Sequence, residues 1–155
     1  MNIDLKEENK RYNARVSAII YNKDKTKILL FKVEDGRDYY LLPGGRIEIC
    51  EDSQTAIKRE IKEELGYDLE FKLCAVQENF TIKDNKEFMQ HCFCYKGIYN
   101  GEITKNRIKC KDNNDQYFYW VNIDELLQYK IYPKSTYELI NSKELKHIVE
   151  RVPYR

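Results

Sequence analysis

The chain has 155 residues, enough for one domain with a sizeable core. Hydrophobic residues make up 42% and charged residues 34%, an ordinary balance for a globular protein. The formal net charge of +1 gives no global field for nucleic acid or an acidic membrane, so an anionic partner must be held by local chemistry.

In chain order, residues 1–11 are highly charged and are expected to be loosely held. Ala14, Val16, Ala18 and Ile20 alternate with other residues, which is a strand period. Residues 28–33 form a short apolar run and residues 39–42 another, with Asp35-Gly36 as turn chemistry between them. Pro43-Gly44-Gly45 is expected to end the strand. Over Ser53–Leu65 the pattern turns helical: Ile57, Ile61 and Leu65 recur at four-residue spacing, Asp52 or Ser53 can cap the start, and Gly66 can end it in the left-handed conformation. Leu69, Phe71, Leu73 and Ala75 alternate again, and residues 88–98 are rich in aromatic and apolar side chains. Asn100-Gly101 reads as a hairpin turn. Residues 117–121 read as a strand, Asn122 as the cap of a short helix to Leu127 or Gln128, and residues 134–140 as another helix after Pro133. Strands interspersed with helices predict an α/β fold, a mixed sheet with helices packed on it, in a single domain over residues 1–155.

No apolar segment resembles a signal peptide or approaches a membrane span, so a cytoplasmic protein is expected. Five cysteines (Cys50, Cys74, Cys92, Cys94 and Cys110) match neither a zinc site nor a CxxC motif and are read as free thiols. Thirteen tyrosines is a high count, most of them expected to pack in the core or at its edge.

The chemistry lies between Gly45 and Tyr67. Glu60, Glu63 and Glu64 stand at i, i+3 and i+4, neighbours on one helix face at roughly 5–6 Å between β-carbons, while the apolar stripe faces the core. A solvated charged helix, with Lys58, Arg59 and Lys62 pairing the glutamates, would account for that stretch alone. A hard divalent cation would convert the repulsion into a gain, and oxygen-only ligands suit Mg²⁺ or Mn²⁺.

The wider spacing decides between them. Gly45, Glu51, Arg59, Glu60, Glu63, Glu64 and Gly66 match the Nudix box, G-x5-E-x7-R-E-U-x-E-E-x-G-U, without a gap. Chance coincidence of these residues has a probability on the order of 10⁻⁸ per start site. Ile61 fills the first aliphatic position; Tyr67 departs from the second. Leu42-Pro43-Gly44-Gly45 before the box, and Glu78-Asn79-Phe80, Trp120-Val121 and Ile123-Asp124-Glu125-Leu126 after it, also resemble bacterial members.

The resemblance implies an α/β/α sandwich and a Mg²⁺- or Mn²⁺-dependent hydrolase that splits the diphosphate linkage of a nucleotide-like substrate. It implies that Glu60, Glu63 and Glu64, with the Gly45 carbonyl, hold the metal. Arg59 would orient a catalytic glutamate, and Glu51 would brace the loop by pairing with Arg59. Glu63 or Glu60 is expected as general base, with Asp115 as a loop candidate ahead of Asp112 and Glu78. Arg15, Arg37 and Arg46 are candidates for phosphate contact, and Tyr40 and Phe80 for contact with a base, alongside Tyr39 and Phe118. His91 is read as a structural histidine. Two other functions occur on this fold, an inert nucleotide-binding sensor and a prenyl diphosphate isomerase; the intact glutamates argue against both. The expected partner is a small nucleotide-like diphosphate. No membrane partner is expected, nor nucleic acid beyond an RNA 5′ end, and a homodimer is compatible with the family.

Overall fold

The computed structural model describes residues 1–153. Its nine described strands form one mixed sheet: β1 (Asp4–Glu7), β2 (Lys10–Asn22), β3 (Lys27–Val33), β4 (Gly44–Arg46), β5 (Lys72–Lys83), β6 (Lys86–Tyr99), β7 (Arg107–Lys109), β8 (Gln116–Asn122) and β9 (Lys146–Pro153). The helices are α1 (Ser53–Leu65), a 3-10 helix at Ile123–Gln128 and the short α2 (Thr136–Leu139). The strand order is β7-β8-β3-β2-β6-β5-β9, with β1 and β4 also pairing β2.

Strand β2 is the spine. One edge runs parallel to β6 along its whole length, from Lys10↔Glu87 to Asn22↔Tyr99. The other edge is shared in turn by β1, β4 and β3. Its side chains alternate between two cores. Ala14, Val16, Ala18 and Ile20 pack with Ala56, Ile57, Ile61 and Leu65 of α1. Ile19 and Tyr21 face Leu126, Ile131, Leu139 and Ile140 on the other side. The sheet thus lies between α1 and the two short helices, which is the α/β/α arrangement expected. None of the described helices is long and apolar enough to cross a membrane.

Helix α1 begins and ends where its sequence indicates. The Asp52 carboxylate accepts the Thr55 N–H at 2.8 Å. Gly66, at φ 75°, closes the last turn with its N–H on the Lys62 carbonyl. A β-branched residue there would be forced into the left-handed region, so Gly66→Val is expected to destabilise the fold by about 2 kcal/mol. A thermal melt reads this directly, and an unchanged Tm would contradict it.

Several expectations are corrected. The charged first segment is not loose: Asp4–Glu7 pairs with β2 from Asp4↔Asn13 to Glu7↔Lys10. Its charges are used across that hairpin, with Arg11 on both Asp4 carboxylate oxygens at 2.8 and 3.0 Å. Residues 39–42 make only isolated bridges, Phe31↔Leu41 and Tyr40↔Ile131. One edge of β3 belongs to β8, and the other is divided between β2 and Leu41. Gly44 and Gly45 do not end a strand but begin one, β4.

Asn100-Gly101 joins no hairpin. Both edges of β6 are already taken, by β2 and β5, so the chain must cross to β8 before it can pair again. The tight hairpin is instead at Asp84-Asn85, both with positive φ, between β5 and β6. Asn122 makes no side-chain cap; the Ile123 N–H goes to the Thr26 carbonyl at 2.9 Å. The helix at residues 134–140 shrinks to α2, and β9, parallel to β5, was not foreseen.

Candidate active site

The apolar stripe of α1 fixes the rotation of the helix, so the opposite turns present the acidic residues to β4. The backbone of β4 lies directly on Glu60: a Cβ added at Gly45 would sit 2.2 Å from the Glu60 carboxyl carbon. Only glycine permits that approach. Register with β2 (Val16↔Gly45, Arg15↔Arg46) holds β4 in place.

Arg59 organises the cluster. Its guanidinium grips Glu51 with two bonds at 2.7 and 2.8 Å, Glu60 at 2.9 Å and the Arg46 carbonyl at 3.1 Å. The expected Glu51–Arg59 brace is present. The Arg59 fork holds the Glu51 carboxyl below its usual range, and the Glu51 and Glu60 carboxylates raise the guanidinium's own pKa despite partial burial. Glu63 is half exposed and reaches Arg59 more distantly, at 3.5 Å.

Glu64 is the buried member of the triad, 8% exposed. Burial pushes its carboxyl up to about 9, reinforced by a hydrogen bond with Glu60 and by the charges of Glu60 and Asp112, while Arg15 opposes the shift. Two carboxyl groups in contact are a repulsive pair that either a proton or a cation relieves. Among the described residues no three acidic, histidine or cysteine side chains stand together as a ready-made metal cluster. Glu60 lies under the Gly45 backbone, Glu64 is buried one turn on, and Arg59 reaches both Glu60 and, more distantly, Glu63. An oxygen-only pair under a glycine backbone fits a cation such as Mg²⁺, which takes few protein carboxylates and completes its shell with water and substrate phosphate.

The segment before β8 also reaches the site. The Lys111 N–H donates to the Glu64 carbonyl at 3.0 Å, and the Cys110 thiol, pushed up to about 12 by burial, donates to Asp112 at 2.9 Å. Asp112 is therefore the downstream acid nearest the glutamates in electrostatic terms. Sequence offered no signal to rank it above Asp115, because the ranking follows from the Lys111–Glu64 backbone bond. Asp115 is in an exposed turn, its carbonyl on the Glu34 N–H at 2.8 Å and its N–H on Asn113 at 3.0 Å. Glu78 is engaged elsewhere, with His147 at 2.6 Å and His91 at 3.9 Å. His91 also meets the Tyr12 hydroxyl at 2.9 Å, a structural role as read from sequence.

The other candidates disperse. Arg46 pairs with Asp4 at 3.2 Å. Arg37 is bound to Asp35. Tyr40 packs edge-on against Tyr119 and Tyr129, and Phe80 lies under Arg151, its ring 4.7 Å from the guanidinium. Tyr39 packs against Tyr132, and Phe118 is fully buried. Arg15 carries a charge that acts on Glu64, and it lines a cavity of about 540 Å³ with Leu42, Asn79, Phe88, Gln90 and Tyr132. Asn79 and Gln90 were not singled out as site residues in the sequence.

A family model described as the NUDIX domain matches residues 11–141. An RNA pyrophosphohydrolase of Wolbachia pipientis subsp. Culex pipiens (strain wPip) is 27% identical over 154 residues, covering 86% of this chain and 89% of its own length. Among solved structures, the mutator MutT protein of Bacillus halodurans superposes with a TM-score of 0.64 at 19% identity, covering 87% of this chain and 89% of that one. The dihydroneopterin triphosphate pyrophosphohydrolase of E. coli gives 0.61 at 19% identity, covering 83% and 94%. These structural likenesses concern the fold.

Proposed function

We propose, from the premise that this chain belongs to the NUDIX domain family, that its α1 glutamates cleave the diphosphate linkage of a nucleotide-like substrate with Mg²⁺ or Mn²⁺. The chain is a Nudix hydrolase, an enzyme of pyrophosphate bonds whose family works with divalent cations. The observation that carries the finer reading is the Gly45 backbone closing on Glu60, which Arg59 holds, with Glu64 buried one turn further along the same helix.

When bound, a divalent cation draws charge from the phosphoryl oxygens and aligns the reacting groups. The chain's own residues do the rest. Glu60 and Glu64 would hold the cation with the Gly45 carbonyl. Arg59 keeps Glu60 from swinging away. Glu63, the most exposed of the three and outside the Glu60–Glu64 pair, takes the proton of the attacking water. Arg15 lines the cavity and its charge acts on Glu64, so it would meet a phosphate oxygen of the substrate. The name of the RNA pyrophosphohydrolase relative supports an RNA 5′ end; a nucleoside triphosphate or a nucleotide sugar carries the same diphosphate linkage.

The test is a panel of these compounds with Mg²⁺ or Mn²⁺, reading released phosphate or pyrophosphate. Chelation is expected to lower turnover at least about 10³-fold, with recovery on adding back either ion. Turnover that survives chelation would remove the metal assignment. Binding of nucleotides without turnover under either ion would make the chain a sensor rather than an enzyme.

A further inference from the structure

The edge of the sheet opposite β9 carries chemistry that the glutamates do not use. Strand β7 is outermost there, and its edge away from β8 pairs with no described strand. Lys105, Arg107, Lys109 and Lys111 stand on it and just beyond it at every second position, all exposed, with no acid between them. None of the four meets a carboxylate within salt-bridge distance among the described residues. Lysines on an open edge deter pairing with another chain. Arg107 goes beyond that role. Its guanidinium lies over the Tyr117 ring, 3.7 Å from the centroid, and its Nε donates to the Tyr119 hydroxyl at 3.2 Å. That hydroxyl donates in turn to Glu34. Two tyrosines thus hold a flat cation in place, and its terminal nitrogens keep no acceptor among the described residues.

A cavity of about 460 Å³ opens beside this row, lined by Lys105, Arg107, Lys109 and Tyr117 together with Tyr67, Tyr99 and Trp120; of its lining residues only Glu102 is acidic. Tyr67 and Tyr99 stack with ring centroids 4.2 Å apart, and Tyr99 stacks on Trp120 at 5.9 Å. Tyr67 is the residue that departs from the aliphatic end of the box, and this stack is where its ring goes. The row also reaches the glutamate helix. Lys111, already bonded to the Glu64 carbonyl through its N–H, lays its ammonium against Gly66, where an added Cβ would sit 2.5 Å from Nζ.

We propose that the β7 edge is a track for single-stranded RNA, holding the strand behind a 5′ diphosphate linkage while the α1 glutamates act on its end. The inference rests on the proposed hydrolase reading and names one substrate class within it. Lys105, Arg107 and Lys109 meet phosphates. The Arg107 plane and the half-buried Tyr99 and Tyr117 rings give stacking surfaces that any base can use. An acidic peptide would answer the charges but not those flat surfaces.

Fluorescence anisotropy on the full chain, with a labelled oligouridylate of about ten nucleotides and no divalent metal, tests the track without cleavage. The double variant Lys105→Ala, Lys109→Ala is expected to bind about 10-fold more weakly and to lower the slope of log affinity against log salt by about 1.4, two phosphate contacts of a single strand. Arg107→Ala is expected to cost about 10-fold, and Arg107→Lys to restore the salt slope but not the affinity, since an ammonium keeps the charge without the plane. Thermal melts check that each variant folds. Variants that bind like the parent would overturn the proposal, as would a parent that binds no oligouridylate or binds oligoglutamate of equal charge as tightly. Turnover with Mg²⁺ separates this from the hydrolase reading. For a 5′-triphosphorylated RNA of the same length the double variant is expected to show KM raised about 10-fold, with KM for ATP at the parental value. An unchanged KM for that RNA in an active enzyme would sink the track alone. No hydrolysis of either compound, with oligouridylate binding still dependent on β7, would sink the hydrolase reading alone.

Discussion

Glu64→Gln is expected to fold like the parent and to lose about 10³-fold or more in kcat at saturating Mg²⁺. Glutamine has nearly the shape of glutamate, so the buried position beside Ile61 and Leu65 stays filled. The amide also removes the like-charge repulsion with Glu60 that raises the Glu64 pKa, so nothing in the change opposes folding. What glutamine cannot give is a second anionic oxygen for a cation. Circular dichroism should therefore superpose on the parent while turnover collapses. A variant as active as the parent would leave Glu64 as packing only.

Arg59→Ala is expected to be the most destabilising change at the site, by about 3 kcal/mol in urea unfolding, because it strands two carboxylates that are mostly shielded from water. Glu51 is 10% and Glu60 14% exposed at the side chain, and both lean on this one guanidinium. Arg59→Lys separates charge from geometry. An ammonium restores a positive charge but cannot serve Glu51 with a fork, Glu60 and the Arg46 carbonyl together. It should recover part of the stability and still turn over 10–100-fold more slowly, as loss of ligand-orienting contacts does. If Arg59→Ala melts with the parent, the cluster owes its arrangement to something else.

How much of this is legible in the sequence depends on whether the cause is local. Helix α1 could, since its apolar spacing, its Asp52 cap and its Gly66 stop all lie within the segment itself. The spacing of the glutamates with Gly45, Glu51 and Arg59 could as well, and with it the family. Strand β9 could not. His147, Ile148 and Val149 sit among charged residues, and only the open edge of β5 gives them a partner. The hairpin was misplaced for the same kind of reason: Asn100-Gly101 is the better turn sequence, but β6 has no free edge there.

Within the site, sequence put three glutamates on one helix face but not which two would meet. Gly45 closes over Glu60, the interior takes Glu64, and Glu63 is left half exposed. Nor could it assemble the cavity, whose walls come from β2, β5, β6, β9 and the stretches around Leu42 and Tyr132. Tyr40 and Phe80 were reasonable candidates by type and lie elsewhere because strand register, not residue type, selects the face. Phe80 alternates with Asn79 and Thr81, and it is the latter two that line the cavity.

Strand β9 has a mechanical corollary. Glu150, on that strand, accepts the backbone N–H groups of Lys134 and Ser135 at 3.1 and 3.0 Å, just past the Tyr132-Pro133 wall of the cavity. The wall therefore hangs from the outermost ribbon of the sheet, and whatever tugs or braces that ribbon is transmitted to the chamber beside Arg15 without touching the glutamates.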